Sequence, residues 1–199
     1  MNKAEPATDR DLLTQVLNDP EPYLDATDPA NRRIAVAASL RHARLFGRLA
    51  DMLLTDKEAA VRRECAEVLG LNGHGDPVLL RRALHDDAAE VREAAATALG
   101  EVTDTGSVEV LVKHAINDDE DKLVREAAVA ALGAIGDERA VPALLSLVDG
   151  GPPQIRRRCI PALSVFDGDR IEAALRQAAK DRNPMVREAA EMVVGRTAD

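Results

Sequence analysis

Four aspartate–arginine pairs recur at one spacing. Asp56 and Arg62, Asp86 and Arg92, Asp119 and Arg125, and Asp181 and Arg187 each stand six residues apart, and Arg33 and Arg156 continue the arginine series. A carboxylate beside a guanidinium can hold a ligand. Repeated at a fixed interval, the pair reads instead as structure: the aspartate takes free backbone donors at a helix start, and the arginine bridges to the neighbouring layer as a ladder.

The other chemistry-bearing residues form no reactive set. The histidines, His42, His74, His85 and His114, show no zinc spacing, and His85 with His114 would make an incomplete site even if neighbouring helices brought them together. No metal and no cofactor are expected. Cys65 and Cys159 hold the same small inward position in units three repeats apart. Stacked helix pairs advance about 10 Å each, which puts the two sulfurs too far apart for a disulfide. No glycine-rich phosphate loop is visible, and no nucleophile stands near a base.

The elements that carry these residues are helices. Hydrophobic residues make up 46% of the 199-residue chain but aromatics only 2%, so the core is Ala, Leu and Val. The arginines Arg33, Arg62, Arg92, Arg125, Arg156 and Arg187 are spaced 29, 30, 33, 31 and 31 residues apart, a regularity that marks a repeat. Within a unit, Val91, Ala95, Ala98 and Leu99, like Val124, Ala128, Ala131 and Leu132, fall on one face of a helix. Gly70, Gly100 and Gly133 follow the last leucine, where left-handed helix terminators are expected. Asp76, Asp104, Asp137 and Asp169 are expected to cap a second helix. Pro161 and Ser164 break the pattern in one unit, where Pro161 is expected to kink the helix. The segment Asp19 to Arg33 reads as a longer connection wrapping the first turn. The expected fold is all-α, a right-handed α–α superhelix forming one domain over 1–199. It has a half repeat at 9–19, repeats at about 28–56, 57–86, 87–119, 120–150 and 151–181, and a terminal half repeat at 182–195.

The pattern Val-Arg-x-x-Ala-x-x-Ala-Leu-Gly, followed in one copy by Ala134-Ile-Gly-Asp-Glu-Arg-Ala-Val-Pro-Ala-Leu144, resembles HEAT repeats of the short type associated with phycobilisome lyases. The resemblance covers about residues 30–195. It implies a curved solenoid whose second helices line the concave side, and it speaks for fold far more than for function.

Function is then sought on the second helices. Read by phase, their exposed column takes in Thr14, Gln15, Asn18, Asp51, Met52 and Thr55, then Arg81, Arg82, His85, Lys113, His114 and Asn117, then Leu145, Ser146, Asp149, Arg176, Gln177 and Lys180. The outer face of the first helices carries Glu64, Glu67, Glu93, Glu126, Glu188 and Glu191. The partner-binding set expected from this is Arg81, Arg82, His85, Lys113, His114, Asn117, Arg176, Gln177 and Lys180, holding an acidic or amphipathic segment of another protein. No catalysis is expected.

The alternative, which rests on the resemblance, is a bilin-binding, lyase-like protein in which Arg81 or Arg82 pairs a propionate; its aromatic walls would have to come from Tyr23, Phe46 and Phe166. The net charge of −9 and the absence of Trp argue against nucleic-acid binding. No apolar run suits a secretory leader or a membrane span, so a cytoplasmic protein is expected. A monomer is the expected state. Head-to-tail association through the half repeats is the alternative, since the last unit has no second helix to cover Val186, Ala189 or Val193.

Overall fold

The computed structural model describes residues 9–195 apart from 72 and 74. Twelve α-helices and no strands occur among them. In chain order they are α1 (Asp9–Asn18), α2 (Pro29–Ala38), α3 (Phe46–Thr55), α4 (Ala59–Leu71), α5 (Pro77–Ala83), α6 (Ala89–Glu101), α7 (Val108–Ile116), α8 (Lys122–Ile135), α9 (Val141–Gly150), α10 (Pro153–Leu163), α11 (Asp169–Ala178) and α12 (Pro184–Val194). Each even-numbered helix up to α10 is followed in the chain by its second helix, giving five helix–turn–helix units with α1 and α12 at the ends. First helices pack on first helices along the whole row, whereas second helices meet one another sparsely and lean on the first helix of the next unit: α3 on α4, α5 on α6, α7 on α8, α9 on α10 and α11 on α12. The result is an α–α superhelix with one continuous core of Leu, Val, Ile and Ala.

The row is close because its contact positions are small. A Cβ placed on Gly70 would sit 2.7 Å from the Ala98 Cβ, one on Gly100 would sit 2.9 Å from the Ala131 Cα, and one on Gly133 would sit 2.6 Å from the Ala162 Cα. These three glycines lie inside α4, α6 and α8 with negative φ. They are therefore not the left-handed terminators that the sequence suggested, and they are needed because the next helix touches their backbone. The left-handed cap of α8 is Gly136, φ 68°.

Helix starts follow local chemistry. Asp28, Asp76, Asp121 and Asn183 accept a backbone N–H two residues on, and α2, α5 and α12 then open with proline. Asp104 and Asp137 do the same for short 3-10 turns that lead into α7 and α9. Asp169 is not a cap: it is the first residue of α11, after Gly168 at φ 129°. The expected long connection from Asp19 to Arg33 is also shorter, since α2 already begins at Pro29. A 3-10 turn, Glu21–Tyr23, occupies the remainder, where the Tyr23 hydroxyl donates to the Gln15 Oε1 at 3.0 Å and Arg44 and Arg48 pair with Glu21 and Asp25. Helix α10 continues through Pro161 to Leu163.

Both cysteines are buried and free, and burial pushes both thiols up, Cys159 to about 12. No helix among the described residues is long and apolar enough to cross a membrane.

The glycine contacts give opposite expectations for one kind of substitution. In an open helix, Gly→Ala stabilises by up to about 1 kcal/mol. Gly47→Ala in α3, with nothing within 4 Å of the added methyl, should raise the midpoint of thermal unfolding slightly. Gly133→Ala should lower it, at a cost of about 1–3 kcal/mol, because the methyl meets backbone. Circular dichroism melts of the two variants check both signs.

Candidate functional site

The ladder arginines lie at the first-helix starts, and each reaches forward by one repeat. Arg32 binds Asp56 with Nε and Nη2, both at 2.8 Å, and donates Nη1 to the Ala26 carbonyl at 2.8 Å. Arg62 binds Asp86 with two bonds of 2.7 Å and donates to the Asp56 carbonyl at 2.9 Å. Arg92 binds Glu120 at 2.6 and 3.3 Å and donates to the Asp86 carbonyl at 2.9 Å. Arg156 binds Asp181 with two bonds of 2.8 Å and donates to the Gly151 carbonyl at 2.8 Å. Asp56, Asp86 and Asp181 also accept the backbone N–H of Glu58, Ala88 and Asn183. One aspartate thus ties down the turn before its helix and receives the preceding arginine, while its carbonyl receives the arginine six residues on.

The sequence placed three members of this series wrongly. The first arginine is Arg32, since Arg33 is exposed. Asp119 receives no arginine; its place belongs to Glu120, because the 33-residue unit carries extra residues in that turn and only the longer glutamate meets Arg92. Arg125 is buried and turned aside, bonded to the Ala115 carbonyl at 3.1 Å and to the exposed Asp118 at 2.8 Å, because the next unit has Gly150 where an aspartate would receive it. Arg187 donates to the Asp181 carbonyl at 2.8 Å.

These contacts lower the carboxylates. Burial raises Asp56, Asp86 and Glu120, but the guanidinium and backbone bonds outweigh it, and Glu120 is held at about 2. At Asp181 the bond from Arg156 is the largest influence and burial opposes it. Burial raises Glu64 on the first-helix side, and the neighbouring Glu67 adds to this.

The expected partner-binding residues divide into engaged and free. Arg81 is half-buried and pairs with Asp104 of the next repeat, so it is not open to a partner. His114 Nδ1 lies 2.8 Å from the Glu120 Oε2, at a half-buried phase equivalent to Ala83 and Leu147. The column was therefore read one residue out of step on α7, where Lys113 and Ile116 are the exposed positions. The rings of His85 and His114 do approach, with centroids 6.2 Å apart. No group of three metal-binding side chains occurs among the described residues. His74 lies outside them. Asn117 accepts the Asp119 N–H, Arg176 pairs with Glu172 on its own helix, and Met52 is buried. Arg82, His85, Lys113, Gln177 and Lys180 are exposed.

Gln177 and Lys180 line a groove of about 750 Å³ between α9 and α11. Leu145, Val148, Ala173 and Ala174 make its apolar part, and Arg170 and Arg182 join Lys180 around it. None of these three cations has a hydrogen bond or ion pair of its side chain among the described residues. Arg170 lies within α11 on the stripe of Gln177, seven residues before it, but the column was read only over the last turn of the helix. Arg182 lies four residues past the end of α11, where helical phase says nothing. At the chain end, Val186 is buried and Ala189 and Val193 are half-buried, so the residues left open on α12 are Met185 and Met192.

A family model of HEAT repeats matches residues 47–118 and 77–164, so the chain belongs to the HEAT repeat family. Among solved structures, it is similar to the CpcE–CpcF complex of phycocyanin lyase from Nostoc, with TM-score 0.67 and 19% identity over 96% of this chain and 79% of that one. It is also similar to the YibA protein of Escherichia coli, with TM-score 0.65 and 20% identity over 98% of this chain and 77% of that one. A designed armadillo repeat protein in complex with the peptide (KR)4 matches with TM-score 0.63 and 16% identity over 92% and 98% of the two chains. At these identities the likeness is one of fold. No curated protein matches significantly.

The ladder makes acid stability predictable. Carboxylates whose folded pKa lies below the ordinary value of about 4 contribute fully above that pH, and the contribution is lost as pH falls through the folded value. The midpoint of thermal unfolding should therefore hold steady above about pH 5 and fall between about pH 4 and pH 2. Glu120→Gln should cost about 1–3 kcal/mol at neutral pH and make the acid fall shallower, because a group that no longer ionises leaves the titration. Melts recorded across this range test both effects.

Proposed function

We propose that this protein is a non-catalytic scaffold that holds an acidic segment of another protein in the groove between α9 and α11. The observation that carries the reading is the composition of that groove. An apolar floor of Leu145, Val148, Ala173 and Ala174 lies beside Arg170, Lys180 and Arg182, which form no side-chain hydrogen bond or ion pair among the described residues; Asp181 in the same lining is taken by Arg156, which leaves Asp149 as the acidic group facing the three cations. Apolar contact would supply area, and cations placed around it would select carboxylates and orient the segment. Gln177, in the same groove, offers both a donor and an acceptor to a peptide backbone. A designed armadillo repeat protein of similar fold is in complex with the peptide (KR)4. Here the groove carries more basic than acidic side chains, and the expected segment is acidic. The tetrapyrrole reading has no comparable support: Arg81 is engaged by Asp104 and Phe166 is buried in the core.

Fluorescence anisotropy with a labelled extended peptide alternating Glu and Leu tests this. The wild-type chain should bind it, and Lys180→Glu/Arg182→Glu should weaken binding by about tenfold or more, equivalent to about 1.4 kcal/mol. Added salt should weaken it too. Equal binding of a Lys/Leu peptide, or an undiminished affinity of the double variant, would overturn the assignment.

A further inference from the structure

The first-helix layer is closest at its middle steps and looser at its two end steps, α2/α4 and α10/α12. Gly70, Gly100 and Gly133 hold α4, α6, α8 and α10 in backbone contact, but at the equivalent place on α10 stands Ser164, and Pro161 precedes it. Between α10 and α12 a trough of about 680 Å³ opens. Its two walls differ in chemistry. Gln154, Arg157, Arg158 and Pro161 form one stripe of α10, at i, i+3, i+4 and i+7, while Met185, Ala189 and Met192 form one stripe of α12, at i, i+4 and i+7. Met185 and Met192 are 55% and 60% exposed, and with Ala189 between them they make a continuous open apolar stripe. Arg157 and Arg158 are exposed and have no side-chain partner among the described residues. At the Arg157 position the other first helices hold Arg33, Arg63, Glu93, Glu126 and Glu188, and at the Arg158 position they hold Ile34, Glu64, Ala94, Ala127 and Ala189, so α10 alone is basic at both.

We propose that this trough is a second docking site, in the layer away from the α9/α11 groove, and that its occupant is an acidic amphipathic helix of a partner protein. Two parallel stripes at helical spacing form a channel into which a helix lies lengthwise. The α12 wall spans 11 residues, about 16 Å, or three turns of an occupant. Methionines adapt to a leucine-bearing face without demanding one shape. Charge sets the orientation: the carboxylates of the occupant must face Arg157 and Arg158 on α10, because Glu126 of α8, which also lines the trough, repels them on one side and Glu188 and Glu191 of α12 repel them on the other. The neighbouring helices α6 and α8 present Glu93 and Glu126 at the Arg157 position and repel the same helix there.

The chain has four methionines, and Met52 is buried in the core far along the sequence, so carbon-13 labelling of the methionine methyl groups gives a site-resolved readout with its own reference. The probe is a synthetic helical peptide with leucines on one stripe and glutamates beside them, added to the full chain. Its binding should shift the Met185 and Met192 methyl signals and leave Met52 in place. Arg157→Glu/Arg158→Glu should weaken it by about tenfold or more while the circular dichroism spectrum is unchanged, and Lys180→Glu/Arg182→Glu should leave it intact. That last comparison separates this site from the α9/α11 groove, so either can fail alone. Unmoved Met185 and Met192 signals, full affinity in the Arg157/Arg158 variant, or equal binding of the lysine version of the peptide would overturn the proposal. So would sedimentation showing a dimer that the same variant dissociates, since a second copy would then fill the trough.

Discussion

Backbone contact between successive first helices governs the geometry of the whole chain. Where glycine faces alanine, at Gly70 with Ala98, Gly100 with Ala131 and Gly133 with Ala162, two helices lie closer than any side chain would allow. Second helices stay farther from one another, since each is held mainly by the first helix of the next unit. The α9/α11 groove lies in that second-helix layer, where Ala173 and Ala174 on α11 leave it room. The α10/α12 trough has the complementary origin: the close contact itself is interrupted where Ser164 replaces glycine. Both candidate surfaces thus trace to where small residues are present or missing.

Electrostatics then decides which cations are available. The chain carries 26 basic and 35 acidic residues, so a free arginine is one that lies beyond the reach of the surplus carboxylates. Arg32, Arg62, Arg92 and Arg156 are taken by the ladder, and Arg81 is taken by the cap residue Asp104. A desolvated pair of this kind contributes registry between layers more than net stability, because much of the attraction is offset by the loss of hydration. Removing one member is costly all the same, since the other is left buried and unpaired. Exposed cations without a side-chain partner occur along the whole row, among them Arg33, Lys57, Arg82 and Lys113, but those that line a cavity are Arg157 and Arg158 in the trough and Arg170, Lys180 and Arg182 in the groove.

The repeat itself was legible because helical periodicity is local. Val91, Ala95, Ala98 and Leu99 show their shared face without knowledge of any other unit, and in the structure all four are buried. The glycines were misread for the converse reason: a glycine after a leucine near a helix end looks like a terminator, and only the neighbouring helix shows that it is a contact. Asp119 was misread because an inserted turn moves the acceptor by one residue, which spacing alone cannot register. His114 was placed one step out because α7 offers several polar residues in a row, and only the packing of α8 against α7 fixes which of them turns inward.

From its sequence alone this chain was bound to be a stack of helical hairpins, because each unit carries an apolar face that only the next unit can cover. Which charged side chains are free was decided by tertiary structure, since their partners lie a full repeat away: 23 residues from Arg81 to Asp104 and 28 from Arg92 to Glu120. Whether a guanidinium meets a carboxylate over such a separation depends on the rise between layers and on the length of one side chain. Neither quantity is written in the residue types of a single unit.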